Sequence, residues 1–337
     1  MKAFLFAILA ILVLSLGPGP AHAVSPSAQL SVTVVPSQSM GRSGPSNCAG
    51  ADLTPPTVAS NAGFTTVVGC WDFTNMDMSA INCDHTNVQT SMSLWLGDPF
   101  FGNNVNASCG KNIYFATDQG VNALAAAFGP ELANCGNPPD LPCTLGLVTS
   151  VGGSPADGPG FFAPLNGYFE ITERMDPVGG STNAAGFWEY NPAHTHLEKD
   201  YVEPNGTTGD VDFTTICWLA NVGSFGCGGQ VTHYTVADGM TGYHTYGYLA
   251  AGSADKTTLE STGYLDGAQI VSNSGGANPF FTNVTALVAD PPGQHDGMFI
   301  SETIPVGTDF SAVINYVRRV RVFSCANWQT TACFPGD

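Results

Sequence analysis

Three carboxylates stand close together in a chain that has few charges. Glu198, Asp200 and Glu203 lie within His194–Gly206, whereas only 11% of the 337 residues are charged. A strand sends residues i and i+2 to the same face, so Glu198 and Asp200 share one. Glu203 falls on the other face of an ideal strand, and one extra residue in a β-bulge brings it back. The expected result is a Glu–Asp–Glu row on one face of a sheet. Two carboxyl groups flanking a bond are what glycoside hydrolysis needs. In the retaining form they stand about 5–5.5 Å apart, one attacking the anomeric carbon and the other protonating the leaving oxygen. With one residue bulged out, the two glutamates are four strand steps apart, roughly 13 Å between Cα atoms at about 3.3 Å per step. Two long acids at the ends can reach inward across most of that gap. A short acid between them can hydrogen-bond either one and help keep one of them protonated.

The elements that must hold such a row are strands. Alternating, β-branched or aromatic runs occur at 64–71, 168–175, 185–190, 196–202, 243–249, 259–265, 281–289 and 312–323. Forty glycines and 23 prolines punctuate them, which predicts many short strands joined by turns, an all-β sandwich or jelly roll of two antiparallel sheets. Residues 83–143 read as irregular loops carrying four cysteines over one end of a sheet. Their one expected helix is the Ala-rich stretch 121–128. No repeat of 20–50 residues is evident.

Residues 1–23 read as a secretory signal peptide: Lys2, an apolar run over 4–16, and the small-x-small site Ala21-His22-Ala23. Residues 24–56, rich in Ser, Pro, Gly and Ala, read as a leader tied down at Cys48. Residues 57–337 are expected to form a single domain. Secretion agrees with ten cysteines, none in a CxxC pair. Disulfides are expected; Cys135–Cys143, Cys217–Cys227 and Cys325–Cys333 are the candidates near in sequence, although spacing alone does not determine connectivity. A net charge of −18 disfavours nucleic acid, anionic membrane surfaces and sulfated polymers as partners, and leaves a neutral polymer. Three sequons, at Asn106, Asn205 and Asn283, would matter in a eukaryotic secretory pathway.

Several stretches resemble, in the same order, glycoside hydrolase family 16, the laminarinase-like and lichenase-like enzymes with a concanavalin A-like jelly roll. Residues 165–175 (LNGYFEITERM) are similar to the family's YGrFEaRiKm strand, and 185–190 (AGFWEY) to its paFWll strand. Glu198-Lys-Asp-Tyr-Val-Glu203 matches E-x-D-x-x-E, the bulged variant of laminarinase-like members. Residues 242–248 (GYHTYGY) resemble FHtYgieW, 264–267 (YLDG) match YvDG, and 316–323 (YVRRVRVF) resemble the closing DYVRVyq strand.

The resemblance implies that Glu198 is the nucleophile, Glu203 the acid/base and Asp200 the assisting group. It makes Trp188 a candidate for stacking on sugar, with a core position as the alternative. Tyr246, with His244 on the His-Thr-Tyr strand, is a further substrate-binding candidate for which a structural role is the stronger expectation. His194 and His196 are expected to line the sugar groove. The implied activity is secreted retaining endo-hydrolysis of β-1,3- or mixed β-1,3/1,4-glucan by a monomer without a required cofactor, with a structural calcium as an option. The alternatives are a non-catalytic lectin-like module, a transglycosylase on the same fold, and a cupin-like metal site at His194/His196, since HxH followed by an acid is a metal-site pattern. Two departures stand out. Lys199 occupies a position where the family has an apolar residue facing the core, so it must snorkel or find an acid partner. Asn191-Pro-Ala-His-Thr-His-Leu replaces the family's Trp-Pro-x-x-Gly lead-in.

Overall fold

In a computed structural model the expected alternation of apolar and polar residues becomes seventeen strands among the described residues. The structure describes residues 46–83, 94–96, 109–110, 112–128, 144–150, 161–175, 186–190, 197–205, 209–218, 225–252, 259–270, 294–303, 313–328 and 333. All of them belong to one compact unit, Met40–Asp337; the other unit, Met1–Ser39, lies outside the described residues, as does the expected signal peptide.

The first sheet has eight strands. In spatial order they are Ala268–Gln269 (β15), Leu259–Leu265 (β14), His244–Gly252 (β13), Gly167–Met175 (β8), Val313–Ser324 (β17), Val121–Phe128 (β5) and Ile113–Asp118 (β4), with Thr66–Asp72 (β1) also on β17. The second has nine. They run Phe225–Thr235 (β12), Asp210–Trp218 (β11), Leu197–Asn205 (β10), Phe187–Tyr190 (β9), Gln294–Thr303 (β16), Thr144–Thr149 (β6), Leu94–Leu96 (β3) and Ile81–Asn82 (β2), with Phe162–Pro164 (β7) also on β16. Among the described strands every pairing is antiparallel except β2–β3. The two-sheet antiparallel sandwich expected from the sequence is the fold observed.

The inner faces meet through aromatic rings. Phe169 of β8 stacks on Tyr201 of β10 with centroids 4.3 Å apart, and Tyr201 also meets Phe187 at 4.6 Å and Tyr248 at 5.3 Å. All four are at most 1% exposed. Tyr248 completes its polar end with a hydrogen bond to Thr215 of β11, which is how a buried phenol avoids an unmet hydroxyl. These contacts settle the facing of β10: odd residues up to Tyr201 point inward, so Glu198 and Asp200 point outward.

Two expectations for the region after Cys83 are corrected. Residues 121–128 are a strand, not a helix, and the region holds β3, β4 and β5 in addition to loops. The reason lies in the turn before it. Gln119 and Gly120 both have positive φ (48° and 79°), as a two-residue type I′ hairpin loop requires. That turn aligns Asp118 with Val121 and feeds residues 121–128 between β4 and β17. Ala123 to Ala127 are then at most 7% exposed. Pairing on both edges and burial on both faces override the helical preference of alanine, which amounts to under about 1 kcal/mol per residue.

Disulfides join Cys48 to Cys70, Cys83 to Cys109 and Cys325 to Cys333. The third is one of the pairs near in sequence, and the first ties down the end of the expected leader. Asn47 reinforces it, donating to Asp72 O at 2.9 Å and accepting from Asp72 N at 2.7 Å. The side chains of the candidate pairs Cys135–Cys143 and Cys217–Cys227 lie outside the described residues. So do strand 281–289 and the sequons at Asn106 and Asn283. Among the described residues no helix is long and apolar enough to cross a membrane.

Candidate active site

The acidic row sits on β10 between β9 and β11. Its register against β11 pairs Glu198 with Ile216, Lys199 with Thr215 and Asp200 with Thr214, then slips so that Glu203 pairs with Asp212. From Asp200 to Glu203 is three steps on β10 and two on β11, so one residue is extra. The register against β9 slips at the same place, between Asp200 and Val202. The bulge leaves both Tyr201 and Val202 inside, at most 1% exposed, and returns Glu203 to the outer face. Asp200 and Glu203 are hydrogen-bonded to each other, and Glu198 is close enough for its charge to act on Asp200.

Crowding changes how these acids hold protons. Burial is the main force raising the Asp200 carboxyl well above the usual range, helped by the charges of Glu203, Glu198 and Glu189. Burial and the neighbouring Asp212 push Glu203 up to about 7, against the opposing pull of hydrogen bonds from Thr214 and Asp200. The Asp200–Glu203 pair therefore retains a proton at pH values where a free carboxyl has lost it. A row of this kind can offer a proton at one position and a carboxylate at another.

Trp188 pairs directly with Asp200 across β9, so its ring is on the same outer face, half-buried. An indole there presents an aromatic face on the side of the sheet that carries the acidic row. Tyr246 is different, and its assignment to substrate binding is corrected. It belongs to β13 of the other sheet, points inward with Tyr248, is 1% exposed and packs in the core. On the same strand His244 pairs with Glu173 of β8, and Thr245 is hydrogen-bonded to Thr172 at 3.0 Å. His194 and His196 lie outside the described residues. Among the described residues no group of three or more His, Cys, Asp or Glu side chains is arranged to hold a metal ion.

Lys199 finds its acid partner. It is fully buried, its ammonium 2.6 Å from Glu189 Oε1, and it donates to the carbonyls of Leu165 (3.1 Å) and Pro164 (3.3 Å). Its Nζ also lies 4.7 Å from the Phe169 ring centre. Tyr201 donates to Glu189 Oε2. Reading the sequence did not identify Glu189, Thr214, Asp212 or His233 as neighbours of the row. Asp210, Asp212 and Thr214 carry a local signal, the alternation D-V-D-F-T, which puts them on one face of a strand. His233 carries none. It reaches the row only through register, pairing with Asp212, and its Nδ1 is 2.7 Å from that carboxylate.

No protein-family model matches the chain, and no curated protein matches it. Its structure is similar to several solved ones at low identity. The catalytic domain of an endo-1,3-beta-glucanase (laminarinase) from Thermotoga petrophila RKU-1 is 15% identical, with 77% of this chain and 97% of that one covered and a TM-score of 0.46. An endo-1,3-beta-glucanase from Streptomyces sioyaensis is 13% identical over 77% and 96%, TM-score 0.47. SCLam, a non-specific endo-beta-1,3(4)-glucanase from family GH16, is 14% identical over 77% and 90%, TM-score 0.45.

Proposed function

We propose that this chain is a divergent member of glycoside hydrolase family 16, a secreted retaining endo-glucanase acting on β-1,3- or mixed β-1,3/1,4-glucan. The observation that carries the reading is the bulge. It returns Glu203 to the face of Glu198 and Asp200 and leaves Asp200 bonded to Glu203. The ordered strand motifs of the sequence support the family, and the disulfides suit an oxidising compartment.

In this reading the Glu198 carboxylate attacks the anomeric carbon while Glu203 gives its proton to the departing oxygen, leaving a glycosyl ester on Glu198. Glu203, now a carboxylate, takes a proton from water. The hydroxide so generated displaces Glu198, and the product keeps its anomeric configuration. A Glu203 group held to about 7 is protonated at mildly acidic pH, as a general acid must be. Asp200, bonded to Glu203 and facing Glu198, accommodates the proton as the charge moves. Trp188 packs on the sugar beside the cleaved bond. A structural calcium, where the family carries one, has no role in these steps.

The test is an assay on a panel of neutral and sulfated polysaccharides, with product size and anomeric configuration read by NMR. Short β-glucan oligosaccharides with retained configuration are expected, and Glu198→Gln should abolish their release. An inverted product would overturn the mechanism. Glucan binding without any release would make the chain a lectin-like module, and products longer than the substrate a transglycosylase.

A further inference from the structure

We propose that the buried Glu189–Lys199 pair is a positioning device for the acidic row: it braces β10 from behind at the bulge and sets the field in which the three carboxyl groups work. The proposal rests on the reading of Glu198, Asp200 and Glu203 as the reacting acids. Lys199 lies between Glu198 and Asp200 in the chain, but its side chain leaves by the opposite face. An ammonium has three hydrogens; here it donates to Leu165 O and Pro164 O and is ion-paired with Glu189 Oε1 at 2.6 Å. The second oxygen of Glu189 accepts from Tyr201. Both charges are fully buried, and a buried charge is tolerated where its partners sit in one geometry. The pair therefore specifies an arrangement.

That arrangement touches β9, the bulge of β10, β7 and β8. Lys199 and Glu189 are register partners, so the pair ties β10 to β9 one position before the last pair ahead of the bulge. Tyr201 ties the bulge itself to the same glutamate. The two carbonyls belong to β7 of the same sheet and to the turn into β8, and across the sandwich Phe169 of β8 covers both Lys199 and Tyr201. Asp200 stands between Lys199 and Tyr201, which are fixed on the other side of the same strand.

The pair also acts through charge. Around Asp200 the titratable and charged groups are Glu198, Glu203, Lys199 and Tyr201 on β10, Glu189 on β9, Asp212 on β11 beside Glu203 with His233 of β12 against it, and Tyr248 on β13. Of these Lys199 is the fully buried cation. Glu189 favours the protonated row and Lys199 opposes it. The two effects are of opposite sign and arise from one ion pair.

The experiment uses the full secreted chain and three variants, Glu189→Gln, Lys199→Met and the double change. Side-chain carboxyl NMR titration follows Asp200 and Glu203, and the alkaline limb of kcat/KM on laminarin is measured beside it. Removing Glu189 leaves the cation behind the row, so its titration should fall by about one pH unit; removing Lys199 leaves the anion, so it should rise by a similar amount. The double variant removes both, keeps the volume, and should return to within a few tenths of a unit of the parent. It should also show a kcat about tenfold lower at unchanged KM, because the brace is gone. A purely structural role moves stability but does not produce opposite shifts that cancel. If a single variant does not fold, Tyr201→Phe keeps both charges and frees one oxygen of Glu189, and should shift the titration upward. Shifts in the same direction, or none, overturn the proposal. If the parent cleaves no glucan, the hydrolase reading fails while the titration still decides the role of the pair.

Discussion

Glu173 allows a sharp test of how the sandwich interior treats charge. It is on β8, fully buried between the sheets, and accepts one hydrogen bond, from Asn315 Nδ2 at 2.8 Å. Burial pushes its carboxyl up to about 7, partly offset by that hydrogen bond. A folded value above the unfolded one means that the native state holds the proton more tightly. Stability is then greatest below about 4.5 and is lost as pH rises towards 7. A gap of about 2.5 pH units corresponds to roughly 3 kcal/mol. Glu173→Gln has the same shape, can keep the Asn315 bond through its amide oxygen, and cannot ionise. Relative to the parent it should be close to neutral at pH 4 and more stable by roughly 3 kcal/mol at pH 8. Urea denaturation from pH 4 to 8, with disulfides intact, measures the difference at each pH. A difference that stays flat over this range, or that favours the parent at high pH, would refute the reasoning.

Three other outcomes follow from specific contacts. Gly247→Ala places a methyl group on the Tyr168 hydroxyl, and that ring is 1% exposed with Tyr264 and Phe323 packed against it. A loss of about 1–3 kcal/mol is expected in denaturant titration, without a change in the pH optimum. Replacing both Cys48 and Cys70 by Ala removes a link of sequence separation 22 and should cost about 3 kcal/mol, read as a lower urea midpoint. Burial lowers the proton affinity of His244, but the hydrogen bond to Asp266 and the nearby Asp238 carboxylate raise it on balance. Raised folded affinity means stability present at low pH and lost as pH rises through neutrality. His244→Gln should therefore be less stable than the parent at pH 5, by up to about 1 kcal/mol given partial exposure, and should match it at pH 9.

What could be read from the chain alone follows the range of the forces involved. The facing of Glu198, Asp200 and Glu203 depends on counting residues along one strand, so the sequence carries it, including the need for a bulge. Lys199 could be identified as a cation in need of an acid. Which acid could not, because Glu189 is brought opposite by register between strands separated by an unpatterned stretch. The same limit explains residues 121–128, where alanine's local preference was outweighed by pairing to β4 and to β17, nearly 200 residues away. It explains Tyr246 as well. Alternation shows that 246 and 248 share a face, but it is the meeting of Tyr248 with Tyr201 and Thr215 of the opposite sheet that identifies that face as the interior.

Strand β17 has a consequence for how the molecule assembles. It pairs with β8 along most of its length, with β5 over 313–317 and with β1 over 319–324. The first sheet thus has its keystone at the last strand in chain order among those described. Until residues 313–324 are available, the β4–β5 hairpin and the β8–β13–β14–β15 block are two fragments with open edges. Contacts of such long sequence separation form slowly, and unpaired edges invite association between chains. Yield should therefore depend on how fast the β17 segment reaches the folding compartment, and a chain stopped before residue 313 should aggregate even with the acidic row complete.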